Sequence, residues 1–410
     1  MHTAAFLYPW DVVGDPDAAA RLADLGIQQV TLASAYHSTR ALTPRHPRHR
    51  IVTARHAAVL YPPDARRWAG RTLRPYTQDW VPGADPFGAA LQSLTEAGLE
   101  VHTWVVLAHN SRLGDEHPSA VVRNAYGDAY PWAPCIARGE VREYLVDLAA
   151  EAAVRPGARG TELESCGWYG LAHLHAHDKI GGVPLSGAGQ YLMSLCFCSV
   201  CSDGYTASGI PAAEVRAGVR RALEPLWAGR EGAGGRPAAA PSGERAAERD
   251  RIEELLGRDL AGVVRTWRDR AARSLQRAAV RAVREAAAGE FRVLLHADPA
   301  AHRCGANAGV DPADVLAHAD GVVVPCTGDD AARADALGPF AGRPATATVA
   351  ANLTVVTGMG GSPGTLAADA AHAVSLGANA LRLYHGGLAS DGDLAAVRHA
   401  LRTTASGIGD

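Results

Sequence analysis

Strand-like and helix-like hydrophobic patterns alternate eight times along the chain, as in folds built from βα repeats around a parallel sheet. The first strand is expected at Ala4–Trp10, followed by a helix from Pro16 to Leu25. Gly26 supplies a helix stop, and strand two runs Gln29–Ala35. A loop rich in Arg, His and Pro covers His37–Pro82, and its length marks it as functional or mobile. The pattern resumes with a helix at Pro86–Ala97 and strand three at Glu100–Ala108. A second loop, Asn110–Gly139, leads to a helix at Glu140–Ala153.

Strand four is expected at Gly160–Ser165, and after it comes the largest excursion of the chain, residues 166–290. It holds a His-rich loop, a cysteine cluster and a helix at Ala212–Trp227. A low-complexity Gly/Ala/Pro run at Gly229–Gly243 reads as a mobile linker, and one long helical pattern follows at Arg245–Ala288. The last four units are compact, with strands at Phe291–Ala297, Gly321–Pro325, Ala345–Ala351 and Ala380–Tyr384. Their helices are expected at Pro312–Ala319, Asp330–Leu337, Thr365–Leu376 and Leu394–Leu401. Count and order predict an α/β fold, a single (β/α)8 TIM barrel over residues 1–410 with a long insertion after strand four. A doubly wound open sheet is the alternative, but the chain lacks its glycine-rich phosphate turn.

Composition narrows the partners. The 410 residues carry a net charge of −3 with both signs dispersed, so there is no electrostatic case for nucleic acid or a membrane surface. No apolar stretch approaches the roughly 20 residues of a spanning helix. The start, Met1-His2-Thr3-Ala4-Ala5-Phe6-Leu7, reads as a first strand and not as a signal peptide. Seven cysteines, an odd number and partly clustered, argue for a reducing compartment and a metal over disulfides, and so for a cytoplasmic location. Lys179 is the single lysine of the chain, and an ammonium can lose its proton in a buried site where a guanidinium cannot.

The run Cys196-Phe197-Cys198-Ser199-Val200-Cys201 has a metal-ligand spacing, C-x-C-x2-C. A fourth thiol would close a tetrahedral zinc site of the structural kind. Cys135, in Ala133-Pro134-Cys135, and Cys166 compete for that place. The first of these segments runs into Glu140-Val141-Arg142-Glu143-Tyr144, and the cysteine run is followed by Tyr205 and Gly209-Ile210. Over about residues 100–210 these segments resemble the zinc-carrying barrel of the family 42 glycoside hydrolases, the microbial β-galactosidases. The resemblance implies a glycosidase-like barrel with a structural zinc on Cys135, Cys196, Cys198 and Cys201.

The end of strand four reads Thr161-Glu162-Leu163-Glu164-Ser165-Cys166-Gly167-Trp168-Tyr169. Alternation turns Glu162 and Glu164 to one face, with Cα atoms roughly 6.7 Å apart. Carboxylates on the inner face are costly unless paired or functional. One expectation is therefore an ion pair with an inward arginine such as Arg382, and the other a proton donor or base. The family resemblance implies that Glu164 is the catalytic acid/base, although Leu163 stands where the family has Asn. Strand seven, which carries the nucleophilic Glu of retaining enzymes in that clan, has no carboxylate between Thr346 and Leu353. Asp298, sharing a face with His296 and Leu294, is the first candidate for a second group, ahead of Asp329 and Asp11.

After strand four, His173, His175 and His177 alternate and are followed by Asp178 and Lys179. Such a loop could bind a metal or sugar hydroxyls. Trp10, Tyr36, His37, His109, Asn110, Trp168, Tyr169, His296, Tyr384 and His385 also fall on or near strand ends, as a polar and aromatic sugar pocket would require. The leading expectation is a hydrolase of carbohydrates or glycosides, with a homo-oligomer allowed. A metal-dependent sugar isomerase or epimerase built on Glu164, His296, Asp298 and His175 or His177 is the alternative. A non-catalytic sugar-binding barrel is the third.

Overall fold

The computed structural model describes residues 1–171, 178–229 and 244–406. The His-rich triplet His173, His175 and His177 and most of the Gly/Ala/Pro run lie outside the described residues. Eight parallel strands form the frame: β1 (His2–Leu7), β2 (Gln29–Tyr36), β3 (Glu100–Val106), β4 (Gly160–Glu164), β5 (Arg292–Asp298), β6 (Gly321–Pro325), β7 (Thr348–Thr354) and β8 (Ala380–Tyr384). Each pairs with the next. Strand β1 also pairs with β8, Ala4 opposite Arg382, which closes the sheet into the expected (β/α)8 barrel.

The helices that follow the strands are α1 (Ala18–Ala23), α2 (Pro86–Glu96), α3 (Gly139–Ala153), α4 (Arg258–Ala286), α5 (Pro312–Leu316), α6 (Asp330–Leu337), α7 (Leu366–Ser375) and α8 (Asp391–Ser406). Their starts follow from side-chain chemistry. Asp85, Asp311 and Asp329 each accept a backbone N–H from the first turn of α2, α5 and α6, and Pro86 and Pro312 occupy positions where no N–H is needed. Asp329 is thereby a cap at an exposed helix start. No helix among the described residues is long and apolar enough to cross a membrane.

Alternation divides the strands' side chains. Val30, Val105, Leu163, Leu295, Val349 and Leu381 point outward into the main core beneath the helices. Leu294, Val323, Ala350 and Ala380 form a separate plug inside the barrel. Above that plug the inward positions turn polar and aromatic, which is where the candidate site begins.

Several boundaries differ from the expectations. Strand one stops at Leu7, because Pro9 opens a 3-10 turn, Pro9–Asp11, whose Asp11 carboxylate accepts the Tyr8 N–H at 2.8 Å. Strand seven begins at Thr348, since the Ala347 N–H is held by the Pro344 carbonyl in a turn. The two long loops contain antiparallel hairpins, Thr39–Leu42 with Ile51–Ala54 and Val121–Arg123 with Ala129–Pro134. The helical stretch expected as one piece is two helices, Glu244–Leu256 and α4, broken at Gly257 with φ +77°. Ser165 also leaves its strand, at φ 56°.

Candidate functional site

Glu162 and Glu164 both face into the barrel from β4, and their surroundings divide them. Glu162 is fully buried, with Oε1 2.5 Å from Arg382 Nε and Oε2 3.5 Å from His296 Nε2. Burial alone would push this carboxyl up, but Arg382 and then His296 outweigh it and bring it down to about 2. Glu162 is therefore the structural ion pair with Arg382. A carboxylate held so firmly as an anion donates no proton near neutral pH.

Glu164, one pleat nearer the mouth, is 6% exposed and accepts a 2.8 Å hydrogen bond from Trp104 Nε1. His296 Nδ1 lies 3.8 Å away, too far for a hydrogen bond. Tyr36, Tyr169 and Tyr384 are near enough to feel the Glu164 charge, which adds to burial in pushing their phenols up. Burial lowers His37, against the pull of the same carboxylate.

A series of mostly buried aromatic rings packs on the Glu164 side of the barrel. Tyr8 lies between Trp10 at 4.4 Å and His385 at 4.3 Å, and its hydroxyl donates to Tyr36 at 3.0 Å. From Tyr36 the rings continue through His37 (4.2 Å) and His109 (4.7 Å) to Tyr169 (4.9 Å). His385 is pushed down to about 3 by burial and then by Arg45, so it is uncharged at neutral pH. Its Nδ1 accepts the Gly387 N–H, which leaves the ring hydrogen on a buried Nε2 that meets no protein acceptor.

Other expected site residues lie elsewhere. Trp168 turns to the excursion, donating to the Arg268 carbonyl at 3.0 Å with that guanidinium 4.6 Å from its ring. Asn110 caps the short helix Ser111–Glu116 by accepting the Leu113 N–H. Lys179 is exposed at the start of a 3-10 turn, Ile180–Gly182. Asp11 points away from the barrel axis, to a water-sized cavity of about 20 Å³ shared with Arg21, Leu22, Arg45 and Leu394. Its carboxyl is pushed up to about 7, because burial outweighs the Tyr8 N–H and Arg45.

Asp298 sits at the end of β5, as expected, but is engaged. Arg245 grips it through Nε at 2.9 Å and Nη2 at 3.0 Å, and Arg303 Nη1 adds a contact at 3.5 Å. Arg245 comes from the helix Glu244–Leu256, which lies over this side of the barrel. Beside the pair is a cleft of about 410 Å³ whose walls include Tyr169, Arg245, Asp298, Arg303 and Thr327. Strand β7 presents Asn352, with a buried Oδ1 lacking a partner, and no carboxylate.

The four thiols of Cys135, Cys196, Cys198 and Cys201 are all buried, and their sulfurs lie within 4.8 Å of one another. Cys135 Sγ is 3.8 Å from Cys198 Sγ and 3.7 Å from Cys201 Sγ. Tetrahedral bonds of about 2.3 Å require sulfurs roughly 3.8 Å apart, so the donor set fits a metal ion. Mutual hydrogen bonding, from Cys196 first, pushes Cys135 up, while Cys135 and its neighbours pull Cys198 down. Cys166 is outside this group. Among the described residues no other three His, Cys, Asp or Glu converge in this way, Glu164, His296 and Asp298 included; His175 and His177, the further ligands expected of an isomerase, lie outside the described residues.

Sequence reading overlooked Tyr8, Trp104, Arg245 and Arg303. The inward register of β3 was a usable signal for Trp104. Arg245 gave none, because it meets Asp298 across 53 residues of chain.

No family model matches the chain, and no curated protein matches it in sequence. Solved structures match its fold from end to end. α-L-Fucosidase isoenzyme 2 from Paenibacillus thiaminolyticus superposes with a TM-score of 0.57 at 11% identity, covering 100% of this chain and 50% of that one. The β-galactosidase of the psychrophilic Marinomonas ef1 gives 0.52 at 13% identity, covering 100% and 60%. The cold-adapted β-galactosidase of Rahnella sp. R3 gives 0.52 at 11%, covering 99% and 56%. The chain thus spans about half to three fifths of these neighbours, whose likeness lies in the glycosidase barrel fold.

Proposed function

We propose that this chain is a glycoside hydrolase-like enzyme acting on a carbohydrate or glycoside, with Glu164 as general acid/base. The observation that carries the reading is the contrast among its carboxylates. Glu162 and Asp298 each hold a guanidinium, whereas Glu164, at the C-terminal end of β4, pairs with a neutral indole. Active groups of (β/α)8 barrels lie at that end of the strands. A carboxyl free of fixed cations can pass a proton to a leaving oxygen and take one back. The ring series from Trp10 to Tyr169 offers the faces and hydroxyls that sugars bind. The names of the structural neighbours, a fucosidase and two β-galactosidases, support the same class.

The four cysteines would hold a zinc ion, which when bound ties the loop before α3 to the excursion after β4. Four thiolates leave such an ion no open position, so its role is structural. With Arg245 and Arg303 upon it, Asp298 serves as a counter-ion and not as a nucleophile. The test is turnover of a panel of aryl and alkyl glycosides by the wild type and by Glu164→Gln. Binding of sugars without any turnover would instead favour the non-catalytic barrel.

A further inference from the structure

The cleft lined by Tyr169, Arg245, Asp298 and Arg303 has a wall chemistry of its own. Its charged lining consists of Arg245 and Arg303 with Glu244 and Asp298, each of them already ion-paired. These groups lock one another. Arg245 bridges Asp298 and Asp335 (2.8 Å), and Arg303 bridges Glu244 and Glu248 at 2.9 Å each. Asn307, also on the wall, has a buried Oδ1 without a partner. Because each of these charges already has a partner, an anionic or amine ligand would have to displace an existing ion pair. Vicinal hydroxyls, each both donor and acceptor, can match the paired groups. The volume of about 410 Å³ falls in the range of roughly 300–1,000 Å³ typical of small-ligand clefts.

Position joins this cleft to the reactive carboxyl. Tyr169 lines the cleft and stands close enough to Glu164 to feel its charge. We infer that the cleft is a second saccharide subsite, completed by the helix Glu244–Leu256, and that the substrate is an uncharged sugar chain of at least two units. This rests on the reading of Glu164 as acid/base. It also gives the insertion after β4 a purpose. The helix buries just two apolar side chains, Ile252 and Leu256, near its far end, while its first turns are held over the barrel by ion pairs.

The cleft carries its own reporter. Cys304 lies on its wall, fixed by a 2.9 Å hydrogen bond from Arg268 Nη2, and is the one cysteine of seven that is not buried. Full-length native protein is treated with iodoacetamide, and labelling of the Cys304 peptide is followed by mass spectrometry. Lactose, cellobiose and longer neutral oligosaccharides should slow that labelling, while galactose and glucose at equal concentration should slow it much less. In parallel, 4-nitrophenyl glycosides of one and two sugar units are compared for wild type and Asn307→Ala. The preference for the two-unit substrate should fall by about tenfold, the effect of one lost hydrogen bond in a dry site. Equal loss on both substrates, or labelling unaffected by every oligosaccharide, overturns the subsite. Absence of all turnover with Cys304 still protected would overturn the Glu164 reading and leave the subsite standing.

Discussion

Arg382 Nε lies 2.5 Å from Glu162 Oε1, and that contact separates two glutamates that share one face of one strand. The guanidinium is 2% exposed and spans the barrel from β8 to β4, so it neutralises the deeper carboxylate. Glu164, two residues on, is left to the Trp104 indole. Glu162 is thereby tied to the frame, while Glu164 keeps a neutral partner, and the proposed acid role rests on that contrast.

If that contact is structural, Arg382→Met should leave Glu162 buried and uncompensated and cost about 3–5 kcal/mol in denaturant unfolding. Adding Glu162→Gln should restore most of the loss. The sign with pH follows from the depressed carboxyl. Folding holds Glu162 at about 2 against an ordinary 4.5, so the pair's contribution is complete above about pH 4.5. It is lost as pH falls towards 2. Wild-type stability should therefore drop through that window, and the double variant should drop less. A double variant no more stable than Arg382→Met would reject the pairing.

The metal centre makes a sharper distinction among the cysteines. Elemental analysis should find about one zinc per chain, and Cys135→Ser should lower both metal content and stability. Cys166→Ser should keep the metal, since Cys166 lies outside the sulfur cluster. A closed site lends folding energy and no open coordination position. A chelator should consequently lower the melting temperature more than it lowers turnover per folded molecule. Wild-type protein free of metal, with all four thiols titratable, would contradict this.

Asp11 should show the opposite pH behaviour from Glu162. Its carboxyl is pushed up to about 7 from 3.8, so the folded state binds the extra proton between those values. Stability should decline as pH rises through that interval, by a few kcal/mol at most, at about 1.4 kcal/mol per unit. Asn keeps an oxygen for the Tyr8 N–H and cannot ionise. Asp11→Asn should then be more stable than wild type at pH 8, with the advantage vanishing near pH 4. Parallel stability curves for the two proteins would show that Asp11 is already solvated.

Much of the frame was legible because punctuation residues bracket its short units. Strands β6 (Gly321–Pro325) and β8 (Ala380–Tyr384) and the helix α6 (Asp330–Leu337) fall where their hydrophobic patterns predict. Strand β7 was displaced because its alanine-rich approach has no sharp hydrophobic onset, and a Pro344 turn decides where pairing begins. Glu162, Glu164 and His296 were visible as inward positions by alternation alone. Which glutamate would be paired was not, because that depends on Arg382 approaching from a strand 220 residues away. The engagement of Asp298 by Arg245 was hidden for the same reason. Local periodicity gives the face a side chain occupies, while its partner is settled by closure of the barrel.

The decisive prediction sets Glu164 against its neighbour. As general acid, Glu164 must deliver a proton to the departing oxygen, so Glu164→Gln should slow glycosides with poor leaving groups by about 10²–10⁴-fold. Activated aryl glycosides need little protonation and should suffer less in bond cleavage. Gln has nearly the same shape and can still accept the Trp104 N–H, so sugar binding should persist. Glu162→Gln should show no such dependence on leaving group, because that residue is held as an anion by Arg382 and has no proton to give. Its loss should register in stability and, through His296, in a general decline of rate. The ratio of rates on poor and activated leaving groups thus separates the two glutamates even if both variants are weakened. An unchanged ratio in Glu164→Gln would remove Glu164 from the acid role, and a changed ratio in Glu162→Gln would move that role one pleat deeper into the barrel.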